Sequence, residues 1–163
     1  MGVGKSTVAK RLAELKDMSY IDLDDYLEKR LAMPITAIFS TKGERFFREE
    51  EYKACIDLLA DDNIIVALGG GTLEYPNLVQ RIRKKALLIY LEASPDFLSD
   101  RLKNEAQTRP LIAGLGDEER FAFIQDHLNT RNDNYQKAQL KLNIENKTVD
   151  EIANTLNAYL DLF

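Results

Sequence analysis

Apolar positions along the chain switch repeatedly between helical and strand spacing, and the switches predict its elements. Val8, Leu12 and Leu15, with Ala9 and Ala13 beside them, keep helical spacing, so residues 5 to about 16 form a helix with one buried face. Residues 19 to 24, SYIDLD, alternate as a strand and end in carboxylates. A short helix over Asp25 to Leu31 is broken by Pro34, and Ile35 to Phe39 predicts another. Gly43 stops that stretch, and a long helix follows to about Leu59 with Phe46, Phe47, Ala54 and Leu58 as core contacts. Asn63 to Leu68 is a short continuous apolar run, the pattern of a strand buried on both faces, and it ends in Gly69-Gly70-Gly71. A helix from near Pro76 to about Lys84 precedes a second buried strand over Ala86 to Leu91. Ser94-Pro95-Asp96 supplies an N-cap, a first-turn proline and a first-turn acid for a helix to about Lys103. Periodicity then fails over 104 to 116, NEAQTRPLIAGLG, a length that in a compact domain marks disorder or a lid. Asp117 caps a helix to about Lys137, and Gln139 to Ile144 alternates as a short strand. Thr148 to Glu151 is a capping box opening a last helix, whose Val149, Ile152, Ala153, Leu156, Tyr159 and Leu160 form one apolar stripe. Four strands interleaved with helices, with no repeat or linker, predict a single α/β domain over 1–163, a three-layer α/β/α fold with a parallel sheet.

Composition adds limits more than content. The 163 residues allow one domain with a sizeable core, and 45% hydrophobic with 30% charged residues is the balance of an ordinary soluble globule. A net charge of −5 offers no basic face to nucleic acid or to an acidic membrane, so an anionic ligand must be captured by a few local cations. The single Cys55 excludes an internal disulfide and a cysteine-cluster metal site, and suits a reducing cytoplasm. No apolar run approaches the roughly 18 residues of a membrane helix, and no charged-then-apolar leader is read. His127 lies in a charged helical stretch, is expected to be solvated, and receives no catalytic role.

The chemistry starts at the first seven residues, Met1-Gly2-Val3-Gly4-Lys5-Ser6-Thr7, the back half of the phosphate-binding pattern G-x-x-x-x-G-K-[ST]. Gly2 and Gly4 let the backbone curl with its N–H groups turned toward an anion, and the following helix adds the positive end of its dipole. Lys5 then reaches the β- and γ-phosphates of a nucleotide and the Ser6 hydroxyl ligates Mg²⁺. The bland reading, a glycine-flanked basic helix start that binds nothing, has to dismiss four ordered residue types in a row. A phosphate loop with Mg²⁺ makes a nucleoside triphosphatase or a kinase. Asp22 and Asp24, two apart at a strand end, are expected to face one side near that loop. Asp22 is assigned to Mg²⁺ through its water shell, and Asp24 to accepting a hydroxyl proton from the acceptor; the alternative is a pair of helix-capping acids. Arg48 and Arg131 form a candidate two-armed carboxylate clamp, against a bland reading as surface ion pairs, Arg48 with Glu44 or Glu51 for example. Arg109, in the aperiodic segment, is placed to swing onto the transferring phosphate and exclude water.

In order and spacing, MGVGKST, IDLDD, Gly43-x-x-x-Phe47-Arg48-x-x-Glu51, LGGG, Thr108-Arg109-Pro110-Leu111 and Arg131-x-x-x-Tyr135 resemble the shikimate kinase family, over Met1 to about Ile144. The resemblance implies ATP-dependent phosphorylation of the 3-hydroxyl of shikimate, in chorismate and aromatic amino acid biosynthesis. It implies that Arg48, Arg131 and the run Gly69, Gly70 and Gly71 hold the shikimate carboxylate, that Asp24 holds ring hydroxyls, and that Glu51 orients Arg48. It also implies a phosphate site of Gly2, Val3, Gly4, Lys5, Ser6 and Thr7, a water-mediated Mg²⁺ contact at Asp22, and Arg109 as the lid arginine over 104–116. Helices within 25–60 become the substrate-binding region, and adenine is expected near Arg101, Lys103 and residues 145–148. The family strand order is 2-3-1-4-5 and the expected state is a cytoplasmic monomer.

The first strand of that order and the first glycine of the phosphate pattern are missing from the chain as written. Strand 1 is central, so its loss would unpair two rows of backbone groups at about 1–3 kcal/mol for each buried group. The chain as written is therefore expected to be poorly stable or inactive, and one extended upstream by about ten residues to be the functional form. Two rival readings stand beside this one. One is another small-metabolite kinase of the gluconate kinase type; the other is a nucleotide-binding module without catalysis.

Overall fold

Side chains alternate across the four strands of the computed structural model, which describes residues 2–103 and 112–162. The helices are α1 (Lys5–Lys16), α2 (Leu23–Leu31), α3 (Ile35–Leu58), α4 (Leu78–Lys85), α5 (Pro95–Lys103), α6 (Asp117–Tyr135) and α7 (Val149–Leu160). The strands are β1 (Ser19–Asp22), β2 (Ile64–Ala67), β3 (Ile89–Glu92) and β4 (Leu140–Asn143), and a 3₁₀ turn covers Thr72–Glu74. Ile64, Val66 and Tyr90 point into one apolar cluster, built on Leu23, Leu27, Phe47, Ala54 and Leu58 from α2 and α3 and on Leu78 and Ile82 from α4. Ile65, Ile89 and Leu91 point the other way, into a cluster of Val8, Leu12, Leu98, Ile124, Ile152 and Leu156 from α1, α5, α6 and α7. The period-two alternation of a strand thus places helices on both faces, which is the predicted three-layer arrangement.

All strand pairing is parallel. β1 pairs with β2, Asp22 opposite Ala67, and β3 pairs with β4, Ile89 opposite Leu140. Among the described residues no ladder joins the two pairs, so the order reads β1-β2 and β3-β4 with an interval between β2 and β3. This is the 2-3-1-4-5 order with its middle position unfilled. The two strands expected to be buried on both faces correspondingly stay partly accessible: in β2 only Ala67 is buried, and in β3 none of the four residues is.

Several boundaries differ from the sequence expectation. β1 stops at Asp22, and Asp24 lies in the first turn of α2; the Asp22 carboxylate accepts the Asp24 N–H at 3.0 Å and so ends the strand by capping the helix. The break expected at Gly43 is present: the backbone there leaves helical geometry, φ 82° and ψ 165°, and the label α3 covers the two helices that meet at it. α4 starts at Leu78, two residues after Pro76, because the 3₁₀ turn takes up the chain after the glycine run. His127 is half-buried against the Phe123 ring, centroids 4.1 Å apart, and burial lowers its pKa; the expectation of a solvated histidine does not hold.

The capping box of α7 forms as expected: Thr148 Oγ1 accepts the Glu151 N–H at 3.2 Å and Glu151 accepts the Thr148 N–H at 2.7 Å. Thr148→Ala is expected to cost about 0.5–2 kcal/mol of stability, readable as a shifted urea midpoint at unchanged m-value.

Candidate active site

Five elements deliver polar side chains to the C-terminal ends of β1 and β2, where an α/β sheet places its ligand crevice. Gly4 caps α1 with φ 83°, and Gly2 has φ 72°, left-handed conformations that leave the loop backbone curled at the helix start. Lys5 and Ser6 open α1. Ser6 Oγ donates to Asp22 Oδ2 at 2.7 Å, and the Tyr20 hydroxyl donates to the same oxygen at 3.3 Å. The hydroxyl and the carboxylate assigned to Mg²⁺ are thus side by side.

Asp24 sits one helical step further in. Burial raises its pKa; the Lys5 charge pulls it back down, Asp22 and Glu51 push it up again, and Arg48 lowers it. Asp24 stands in the first turn of α2 and not on the strand, and its Oδ1 lies 3.2 Å from where a methyl on Gly69 would sit.

The three glycines after β2 are needed for close approach. A methyl group on Gly71 would come within 2.6 Å of Arg48 Nη2, one on Gly70 within 3.1 Å of Arg131 Nη1, and one on Gly69 within 2.8 Å of Glu51 Oε1 and 3.2 Å of Asp24 Oδ1. Side chains from α2, α3 and α6, distant in sequence, therefore converge on three consecutive residues that have no side chain of their own.

The arginines are held by carboxylates. Arg48 Nη1 donates to Glu51 Oε2 at 2.7 Å and Nη2 to Glu44 Oε1 at 3.3 Å. Glu51 is only 1% exposed and also accepts the Thr72 hydroxyl, so one side of the Arg48 support is buried and fully partnered. Burial alone would lower the Arg48 pKa, but its bonds to Glu51 and Glu44 outweigh that and hold it above the ordinary arginine value. Arg131 Nε donates to Glu74 Oε1 at 2.6 Å, and the Tyr135 hydroxyl donates to the Gly70 carbonyl at 2.6 Å, tying α6 to the glycine run.

Sequence reasoning singled out Gly2, Gly4, Lys5, Ser6, Asp22, Asp24, Arg48, Glu51, the three glycines and Arg131, and the fold gathers them. Val3 and Thr7 belong to the same loop and helix start, Thr7 with its residue exposed. Glu74, Thr72, Tyr20 and the role of Tyr135 were missed. Arg109 lies outside the described residues, as does most of the lid segment. Of the two cations expected near adenine, Arg101 lies over the phosphate loop, its Nη2 within 3.0 Å of where a methyl on Gly4 would sit, and Lys103 pairs with Asp117 at 2.7 Å.

A family model described as shikimate kinase matches residues 1–161. The chain belongs to the shikimate kinase family. Among curated shikimate kinases, that of Flavobacterium johnsoniae is 40% identical, with 99% of this chain and 94% of that protein covered. The shikimate kinase of Parabacteroides distasonis is 34% identical over 96% of this chain and 92% of that one. Among solved structures, the shikimate kinase of Bacteroides thetaiotaomicron superposes with a TM-score of 0.91 at 29% identity, covering 99% of this chain and 94% of that one. An Acinetobacter baumannii shikimate kinase solved in complex with shikimate gives a TM-score of 0.86 at 25% identity, covering 99% and 89%. Like these kinases the chain is an α/β protein with parallel strands, and it shares their dependence on ATP and Mg²⁺. Among the described residues no helix is long and apolar enough to cross a membrane.

Proposed function

We infer that this chain transfers a phosphoryl group from ATP to the 3-hydroxyl of shikimate, giving shikimate 3-phosphate in chorismate and aromatic amino acid biosynthesis. The observation that carries the reading is the convergence of Arg48, Arg131 and Asp24 on Gly69–Gly71, with Lys5 electrostatically coupled to Asp24 on the phosphate-loop side. A ring bearing one carboxylate and several hydroxyls meets two guanidinium forks at one end and a proton-accepting carboxylate at the other. A kinase for an acyclic acceptor such as gluconate has no use for that triple-glycine floor.

The residues fit the donor and the metal. The curl at Gly2 and Gly4 and the partly exposed start of α1 suit phosphate oxygens. Mg²⁺ keeps several waters and takes one or two protein oxygens, here the Ser6 hydroxyl directly and Asp22 through the water shell. When bound, ATP with Mg²⁺ supplies the transferable phosphoryl group and neutralises its charge. The chain supplies position. Arg48, oriented by Glu51, and Arg131 grip the acceptor carboxylate, Asp24 takes the proton of the reacting hydroxyl on a carboxylate oxygen, Lys5 attends the phosphates, and Arg109, outside the described residues, is assigned to the transferring phosphate from the sequence alone. Adenine is assigned to the neighbourhood of Arg101 and residues 145–148, and the working state to a cytoplasmic monomer, with one domain, a lid over 104–116 and an acceptor region within 25–60.

ADP release by the purified chain with ATP and Mg²⁺, with and without shikimate, tests the reading. Shikimate-dependent turnover would bear out the reading and overturn the expectation that the chain as written is inactive, whereas turnover that follows gluconate instead, or ATP binding with no acceptor dependence, would overturn the reading. Arg48→Ala is expected to raise KM for shikimate by roughly 10- to 150-fold, the loss of a charge-assisted hydrogen bond worth about 1.5–3 kcal/mol, and to leave KM for ATP near wild type. Since the Asp24 pKa is raised above 3.8, the acid limb of kcat should fall at a higher pH than an ordinary aspartate would give, and Asp24→Asn should remove that limb from the residual rate.

A further inference from the structure

We propose that the cavity between α3 and α4 is a second ligand site, built for a small planar ring that carries a single carboxylate. The cavity measures about 470 Å³, and Arg48 of the acceptor site forms part of its wall. Its volume is in the range of small-molecule sites. Three guanidinium groups, Arg45, Arg48 and Arg81, line it against one carboxylate, Glu49, in a chain whose overall charge is −5. Two of the three already have partners: Arg45 binds Glu49 at 3.0 Å, and Arg48 binds Glu51 and Glu44. Arg81 has no carboxylate partner among the described residues; its guanidinium instead lies 5.9 Å from the centre of the Tyr52 ring. With Arg45 and Arg48 already paired, one guanidinium is left to take one carboxylate.

The apolar part of the wall selects a flat ring. Tyr52 and Tyr75, both lining the cavity, stack with centroids 4.3 Å apart and planes 22° from parallel. Such a pair extends naturally by one more ring, and a guanidinium beside it can fork onto the carboxylate of that ring. Arg48 is shared with the acceptor site, so the claim that this second site is separate rests on the acceptor reading given above.

The test uses the full chain, sodium benzoate as probe, and ligand-observed NMR or calorimetry. Benzoate should bind at millimolar concentration, and benzamide, its uncharged isostere, and inorganic phosphate should bind at least tenfold more weakly. Arg81→Ala, outside the catalytic machinery, should weaken benzoate about tenfold while leaving kcat with shikimate and the melting temperature unchanged. Arg131→Ala, which disables the acceptor clamp but does not line the cavity, should leave benzoate binding intact. Benzoate binding lost in Arg131→Ala and kept in Arg81→Ala would mean that the probe occupies the acceptor site, and the proposal fails. Equal binding of benzamide or phosphate, or no benzoate binding, also overturns it. Should Arg131→Ala leave shikimate turnover untouched, the acceptor reading fails while the Arg81 result still decides the second site.

Discussion

Asp24→Asn should lower kcat by about 10²- to 10⁴-fold and at the same time raise the melting temperature. Both effects come from one environment. Burial at the α2 start is the main cause that raises the Asp24 pKa; Lys5 and Arg48 pull it down, and Asp22 and Glu51 push it up. A carboxyl whose folded pKa lies above its unfolded value gives the folded state the tighter hold on the proton. Stability contributed by Asp24 therefore falls as pH rises from the unfolded value of 3.8 through the folded one, and at neutral pH its charge works against the fold. Asparagine keeps the shape and removes that charge, and with it the carboxylate proposed to take the acceptor's proton. Differential scanning calorimetry at pH 7 and steady-state turnover read the two effects separately. Loss of activity with a lower melting temperature would reassign Asp24 to a structural role, and an unchanged kcat would remove it from the proton transfer.

Gly71→Ala is the second large effect, and it should act on the acceptor alone. The added methyl would stand 2.6 Å from Arg48 Nη2 and 2.8 Å from Cζ, so the guanidinium must move. It is the far end of a flexible side chain and can do so, at some cost because buried Glu51 loses its charge partner. KM for shikimate should rise roughly 10- to 150-fold, as for loss of one charge-assisted contact of about 1.5–3 kcal/mol, with KM for ATP unaltered. Gly69→Ala makes the contrast. Its methyl would meet the Glu51 carboxylate at 2.8 Å and the Thr72 hydroxyl at 3.0 Å, two groups that are buried and cannot retreat to solvent. There the loss should appear first as a lower melting temperature. Equal KM increases for both substrates in Gly71→Ala would show that the glycine run serves the fold and not the clamp.

Where local pattern decides a structure, the sequence was a sufficient guide. The stripe and capping box of α7, the helix start at Lys5 and the buried face of α3 all depend on neighbours within a turn or two. The acids of residues 22 to 25 were harder, because Asp-x-Asp ending an alternating run serves equally as strand and as helix cap, and only the Asp24 N–H bond to Asp22 decides between them. The break at Gly43 was legible, because a glycine there can take the left-handed φ that ends one helix and starts the next. The supporting residues of the clamp were invisible for another reason: Glu74 reaches Arg131 across 57 positions and Thr72 reaches Glu51 across 21. No local periodicity marks either. The glycine run was legible as a place of close approach, but not that α2, α3 and α6 each send a side chain to it.

Each clamp arginine already has a carboxylate at hand, and the carboxylates differ in depth. Glu51 is 2% exposed at its side chain, whereas Glu44 is 66% and Glu74 38% exposed. An entering acid therefore trades places with a rim residue that water readily takes back, while the inner one stays in place as a fixed counter-ion. Capture becomes an exchange of partners between extended, pre-aimed forks. Chloride, a single point charge, cannot make the two parallel bonds needed to evict a carboxylate from a guanidinium. The pocket should accordingly ignore chloride and answer to a forked oxyanion, so that selectivity against the simplest anions is already present before any nucleotide arrives.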